Sequence, residues 1–446
     1  MKHKYKNSFH IEPAQGLLND PNGLIQYQGK YYFFHQWNRF NTNHEYKEWG
    51  LFTSTDLVNW ENPGTALVPD LADDKDGIYS GSAIEHDQKM YLFYTGNTKT
   101  KGIRKSWQKI AVSADGKTFI KEPQGIETPA GFTEHHRDPK VWQSQGKWWM
   151  IVGAQTTENV GAITLFTSTD LINWAFQGTF YSDPDLEQMC ECPDVFSLTD
   201  EVDILTVCPQ KRSSNEEIDL PVSSYAGYSV GKVDYQQKQF VPTGEIQLLD
   251  QGFDFYAPQS FQDDKGRRII VAWMSRMDEE QEKQCPTIKE GYLHCLTMPR
   301  ELKWEQGQLR QVPLKEYQQL RKDQQTYTAA EEVIKNQQTA YELVIDFKEE
   351  VSAFDLTLNA EANSLQFKDN VLQVSRINWV SGEKEVKEIP LESLHKLQIF
   401  CDTSTLEIFI NDGQFVFSMR NFRTRSSSDI TYKHLNEKGS VVFYNY

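Results

Sequence analysis

The chain has 446 residues, 13% of them aromatic, with 63 acidic against 46 basic side chains and a formal charge of −17. That balance is a poor electrostatic match to nucleic acid or an anionic membrane, which are held through Lys and Arg. A hydrophobic share of 38% over this length supports a large core and two or three domains rather than a disordered tract.

The start, Met1 to Asn7, leads into no apolar segment, and no apolar run approaches the ~18 residues of a membrane span. Cys190, Cys192, Cys208, Cys285, Cys295 and Cys401 show neither a disulfide framework nor paired metal-ligand spacing. The expectation is a cytoplasmic protein with free thiols and a small-molecule partner, bound to neither nucleic acid nor membrane. A homo-oligomer is left open.

From about residue 8 to 305 a unit recurs, in which a tight turn is followed by an aromatic-rich apolar strand. The turn centres are Gly29, Gln88, Gly146, Asp200 and Lys265, at steps of 59, 58, 54 and 65 residues. Strands such as Tyr31-Tyr32-Phe33-Phe34 and Trp148-Trp149-Met150-Ile151-Val152, bounded by Gly, Asp and Lys, predict hairpins. A second element, Leu51 to Trp60, returns nearly intact at Leu165 to Trp174, with looser versions at Ile110 to Phe119 and Tyr228 to Phe240. Several strands per unit at such a period are the mark of a β-propeller, and five units predict five blades within residues 1–310.

After Trp304 the texture changes. Residues 311–340 are expected to be a connector with a short helix near Lys315–Arg321. Alternating strands then resume through residues 341–446, and Asn411-Asp412-Gly413 between two apolar runs marks a hairpin. The fold class is therefore all-β, a five-bladed propeller followed by a C-terminal β-sandwich.

The repeat register singles out three carboxylates. Asp20 lies nine residues before Gly29, Asp138 eight before Gly146 and Glu191 nine before Asp200, with Ser80 and Tyr256 at the matching places of the other units. Equivalent positions at the start of innermost strands face one central funnel. Three acids converging there have coupled pKa values that separate, which suits paired acid and carboxylate work on a glycosidic bond.

The segments Asn19-Asp20-Pro21-Asn22-Gly23, Arg137-Asp138-Pro139 and Glu191-Cys192-Pro193-Asp194 resemble the signatures of glycoside hydrolase family 32, the invertases and β-fructosidases. Tyr79-Ser80-Gly81-Ser82, Phe255-Tyr256-Ala257-Pro258-Gln259, Ala272-Trp273-Met274 and, in the sandwich, Leu406 to Gly413 extend the likeness over nearly the whole chain. The resemblance implies a retaining β-fructofuranosidase with Asp20 as nucleophile, Asp138 as transition-state stabiliser and Glu191 as acid/base. It also implies sugar contacts from Asn19, Gln36, Trp49, Tyr79, Ser80, Arg137, Tyr256 and Trp273. No metal or other cofactor is expected, because a proton activates the leaving group.

Two places depart from the family pattern. Leu17-Leu18 stands where Trp-Met commonly precedes the first motif, and Leu51 follows Trp49-Gly50 where His is usual. Further stretches, including His35-Gln36-Trp37-Asn38 and His294 to Leu302, are similar to the intracellular branch that acts on sucrose 6-phosphate. Lys99, Lys101, Arg104 and Lys105 form a basic loop in which Arg104 and Lys105 could neutralise a sugar phosphate.

Other signals are structural in this reading. His135-His136 lacks further metal ligands at recognisable spacing. Simple alternation puts Cys190 and Cys192 opposite Glu191 and away from the chemistry. Trp37 joins Trp49 and Trp273 as a candidate sugar-stacking face, whereas Trp60 and Trp174 belong to the core. The rival functions are a fructo-oligosaccharide β-fructosidase, an inverting pentosidase on a similar propeller, and a non-catalytic sugar-binding propeller.

Overall fold

The computed structural model describes residues 4–211, 224–359, 362–422 and 429–446. Between residues 16 and 313 the described strands form five sheets, one for each sequence unit. Their first strands are Gly16–Tyr27, Ile78–His86, Phe132–Ser144, Met189–Ser197 and Tyr256–Gln262. Each packs against the first strand of the next sheet, and the fifth returns to the first, closing a ring. This is a β-propeller, and each sheet is taken as one blade.

Side chains also tie the blades together. Ser82 Oγ donates to Pro139 O at 2.8 Å, and Lys140 Nζ reaches Asp194 Oδ2 at 3.0 Å and Ser260 O at 2.5 Å. Outside the ring, the repeated Ser-x-Asp element makes the turn between third and fourth strands. Asp56 Oδ1 accepts from the backbone N–H groups of Val58 and Asn59, and Asp170 Oδ1 does the same for Ile172 and Asn173. Leu57 and Leu171 take the same left-handed φ, +64° and +67°. Asp115 repeats the arrangement, with Gly116 at the left-handed position. The repeat is thus a side-chain-capped turn.

In the remainder the described strands form a sandwich of two six-stranded sheets. Leu343, Ile345, Phe354, Leu356, Ile399, Ile408 and Phe417 belong to the core that the two sheets share. Residues 311–340 are not the separate connector expected from sequence. Gln308–Pro313 completes the fifth propeller sheet, while Lys322–Tyr327 pairs with Ser440–Asn445 as a sandwich edge strand. The link proper is the turn of 3-10 helix Lys315–Leu320. Lys322–Tyr327 is exposed along most of its length, so no apolar alternation announced it.

The domains are locked by a buried polar network. Arg300, of the fifth propeller sheet, pairs with Glu407 of the sandwich at 2.6 Å and with Asp250 at 3.0 Å. His10 lies 3.0 Å from both Asp402 and Glu407. At the same interface Gly413 (φ +83°) approaches so closely that a Cβ there would meet Gln311 O at 2.0 Å.

Burial alone lowers the His10 pKa, yet the hydrogen bonds and charges of Asp402 and Glu407 raise it from 6.5 to about 9. A raised histidine stabilises the fold fully below its unfolded value and loses that contribution as pH rises through the folded one. The melting temperature should therefore fall between pH 6.5 and 9, by at most about 3 kcal/mol in stability. His10→Gln should melt lower at pH 6.5 and flatten that slope. A wild-type melting temperature that is flat across this range would remove His10 from the interface account.

Candidate active site

All five first strands lose register at the same place. The ladder slips between Leu18 and Pro21, Tyr79 and Gly81, Arg137 and Lys140, Glu191 and Asp194, and Tyr256 and Gln259. Four of these bulges contain a proline, Pro21, Pro139, Pro193 and Pro258, whose missing N–H cannot serve the ladder. Gly81 fills the place in the second blade, where a Cβ would strike Phe93 O at 1.8 Å. Asp138, Cys192 and Ala257 take left-handed φ values of +70°, +46° and +49° within their bulges. A bulge re-aims the side chain beside it. Here it turns Asp20, Asp138, Glu191 and Tyr256 into one cavity of about 560 Å³.

Two hydrogen-bonded groups line that cavity. In the first, Asp20 accepts from Asn19 Nδ2 at 3.0 Å and from Ser80 Oγ at 2.5 Å. Asn19 also donates to Gln36 Oε1 at 2.8 Å, and Gln36 Nε2 donates to Ser80 Oγ at 2.7 Å. In the second, Glu191 accepts from Arg137 at 2.7 Å and from the Tyr256 hydroxyl at 2.6 Å. Asp138 lies between them and accepts from the Cys192 backbone N–H at 2.9 Å.

The electrostatics divide the acids. Burial pushes the Asp138 carboxyl up to about 7; Arg137 opposes this, and Glu191 and Asp20 add to it. Burial also acts to raise Glu191, but Arg137, Tyr256 and Arg276 together hold it below the usual carboxylate range. The separation expected from sequence is present. In the free site, however, the raised carboxyl is Asp138 and not Glu191.

Several expected contacts are placed elsewhere. Trp49 is fully buried, its indole N–H donating to Tyr79 O at 2.9 Å and its ring packing on Phe34, so it backs the wall instead of stacking on sugar. Trp37 is tied to Gln15 O at 2.9 Å and does not line the cavity. Trp273 and Tyr79 do line it, and Ser80 reaches it through Asp20. Arg104 faces inward beside Tyr79, its guanidinium 5.8 Å from the ring, while the next residue, Lys105, points out to solvent as strand alternation requires. Cys190 is buried in the core, as expected. Cys192 is not turned away: its Sγ lies 3.5 Å from Asp138 and 4.0 Å from Asp20. The bulge breaks the alternation on which the expectation rested.

Lys47, His44, Arg276 and Glu282 also line the cavity and carry no repeat signal. Lys47 and His44 sit in the loop before strand Glu48–Ser54, and Arg276 and Glu282 in a long excursion between Trp273 and Arg300. His44, Glu282 and His294 form the one trio of metal-ligating types among the described residues. His44 Nε2 is 2.7 Å from Glu282, a hydrogen-bond separation, and the Lys47 ammonium stands 3.0 Å from its other nitrogen. That ammonium opposes a second cation, so we treat the trio as a hydrogen-bonded wall.

The profile described as "Glycosyl hydrolases family 32 N-terminal domain" matches residues 10–313, and "Glycosyl hydrolases family 32 C terminal" matches residues 307–445. The chain belongs to glycoside hydrolase family 32. It is 39% identical over 441 residues to sucrose-6-phosphate hydrolase of Bacillus subtilis, covering 96% of this chain and 91% of that one. Identity to the Klebsiella pneumoniae sucrose-6-phosphate hydrolase is 38% over 428 residues, covering 93% and 88%. The solved sucrose-6-phosphate hydrolase of Lactobacillus gasseri superposes with a TM-score of 0.90 at 30% identity, over 100% of this chain and 93% of that one. A Bombyx mori β-fructofuranosidase variant in complex with sucrose gives 0.83 at 27% identity, over 100% and 94%.

Within this family 32 site, burial and the neighbouring Asp138 and Asp20 push the Cys192 thiol well above its ordinary value, so it stays protonated and non-nucleophilic. Cys192→Ala keeps the backbone donor to Asp138 and should retain turnover to within about tenfold. A loss of several orders of magnitude in a folded variant would give the thiol a chemical role.

Proposed function

We propose that the protein is a retaining β-fructofuranosidase that removes the terminal β-D-fructofuranosyl unit of sucrose 6-phosphate or sucrose. The observation that carries the reading is the convergence of Asp20, Asp138 and Glu191 on one cavity, each held by its own donors. Relatives named for sucrose-6-phosphate hydrolysis over almost the full chain support the substrate class.

In this reading Asp20 attacks the anomeric C2 of the fructosyl unit while Glu191 protonates the departing glucosyl oxygen. Glu191 then takes a proton from water, which hydrolyses the fructosyl ester. Sugar hydroxyls bound to Asp138 and Arg137 favour the ionised form of Asp138 and divide the hold of Arg137 on Glu191. This opposes the bias of the free site, where Asp138 is the raised carboxyl, and favours a proton on Glu191, where the leaving group needs it. As positive charge develops on the ring, the Asp138 carboxylate stabilises it. Trp273 and Tyr79 supply apolar surface beside the sugar.

A phosphorylated leaving group fits the cations at the cavity wall. Arg104 stands beside Tyr79, and Arg276 lies 4.9 Å over the Tyr256 ring. Neither forms an ion pair among the described residues, and Arg276 Nε is buried without a hydrogen-bond partner. Arg276 also donates to Ser224 Oγ at 2.7 Å, and guanidinia with no ion pair among the described residues, in a chain of charge −17, favour an anionic substituent. Because a sugar phosphate does not cross a membrane unaided, the reading includes an intracellular place of action.

Turnover of sucrose 6-phosphate, sucrose and kestose tests the proposal. The expected preference is for the phosphorylated sugar. Arg104→Ala should lower its kcat/KM about tenfold to 100-fold while sucrose changes little. Asp20→Ala should abolish activity on both at an unchanged melting temperature. Equal losses on both sugars from Arg104→Ala would remove it from the phosphate site, and wild-type activity in folded Asp20→Ala would sink the assignment.

A further inference from the structure

The two carboxylate oxygens of Asp20 are reached by a chain of hydrogen bonds whose direction has a single source. Lys47 is buried, at 6% exposure, and its ammonium donates to Asn19 Oδ1. An ammonium has donors only, so it selects the oxygen end of the Asn19 amide. The NH2 end must then face inward, where it donates to Asp20 Oδ1 and to Gln36 Oε1. Gln36, having spent its oxygen, presents its NH2 to Ser80 Oγ, and the Ser80 hydroxyl hydrogen is left for Asp20 Oδ2. Both branches therefore begin at Lys47 and end by donating to Asp20.

The other groups around this chain agree with that polarity. Lys47 also contacts His44 Nδ1 at 3.0 Å, and His44 in turn meets Glu282 at 2.7 Å, with His294 3.6 Å from Glu282 on its other side. On the cavity side, Asp20 has Cys192 Sγ at 4.0 Å, with Asp138, Glu191 and Arg137 beyond it. Lys47 stands behind Asp20 and Arg137 against Glu191, while Arg276, which also acts on Glu191, and Arg104 are the further cations on the cavity wall.

We propose that Lys47 is a positioning residue that fixes the Asn19 and Gln36 amides so that every donor around Asp20 points at its carboxylate and orients it for attack. A neutral side chain here lets the Asn19 amide turn its oxygen toward Asp20. That costs one donor at Oδ1, reverses Gln36, and removes the counter-charge behind the carboxylate.

The test compares Lys47→Met and Lys47→Arg with the wild type. Relative to turnover of sucrose by the wild type, Lys47→Met should lower kcat about tenfold to 100-fold, with a smaller change in KM. The acid limb of its kcat/KM profile should move up by about one pH unit. Lys47→Arg, which keeps a donor-only cation, should recover most of the rate and return the limb toward wild type. Titration of Asp20 by carboxyl 13C NMR in wild type and Lys47→Met needs no turnover, so it separates this assignment from the choice of substrate; the same upward shift is expected. Melting curves distinguish lost activity from lost fold, and Lys47→Gln serves the same comparison should the Met variant not fold. A folded neutral variant with wild-type kcat and an unmoved Asp20 titration overturns the proposal.

Discussion

The convergence of the three acids depends on a failure of β-ladder pairing repeated around the ring. A strand kept in perfect register would alternate its side chains between the two faces of its blade and send none of them along the central axis. A proline in four of the first strands and Gly81 in that of the second blade break the ladder at equivalent points. The five bulges aim Asp20, Ser80, Asp138, Glu191 and Tyr256 toward one cavity. The left-handed backbone at Asp138 and Cys192 is strain that the closed ring over-determines.

Bringing three carboxylates together creates the next constraint, because like charges in a buried place cannot all remain ionised without compensation. Arg137 and the Tyr256 hydroxyl answer for Glu191, while Asn19, Ser80 and the Lys47 ammonium behind them answer for Asp20. Asp138 has a backbone donor and a thiol as its nearest partners, and burial pushes its carboxyl up to about 7. Burial therefore raises Asp138, while Arg137, Tyr256 and Arg276 offset the same burial at Glu191. The sandwich adds a separate buried network, His10–Asp402–Glu407–Arg300–Asp250, which fixes the orientation of the last blade from outside the ring.

Much of this was legible in the sequence because it repeats. The turn spacing exposed the units, and counting back from each turn reached the five bulge positions together with the prolines that cause them. What stayed hidden lacked a repeat or broke a period. Alternation puts Cys192 on the wrong face because it does not survive a bulge. Trp49 and Trp37 looked like sugar platforms by residue type, yet their indole N–H groups are spent on backbone carbonyls. Lys47, His44, Arg276 and Glu282 lie in two excursions that belong to single blades, so no second copy marked them. The exposed edge strand Lys322–Tyr327 had no apolar face to show.

The central claim is that the three acids work as a nucleophile, a stabiliser and an acid/base on one fructosyl unit, through two successive displacements at C2. Proton NMR of the fructose first released from sucrose, recorded before mutarotation, addresses it most directly. Two displacements return the starting configuration, so β-fructofuranose must appear first. Initial release of the α anomer would mean a single displacement by water and would contradict the account.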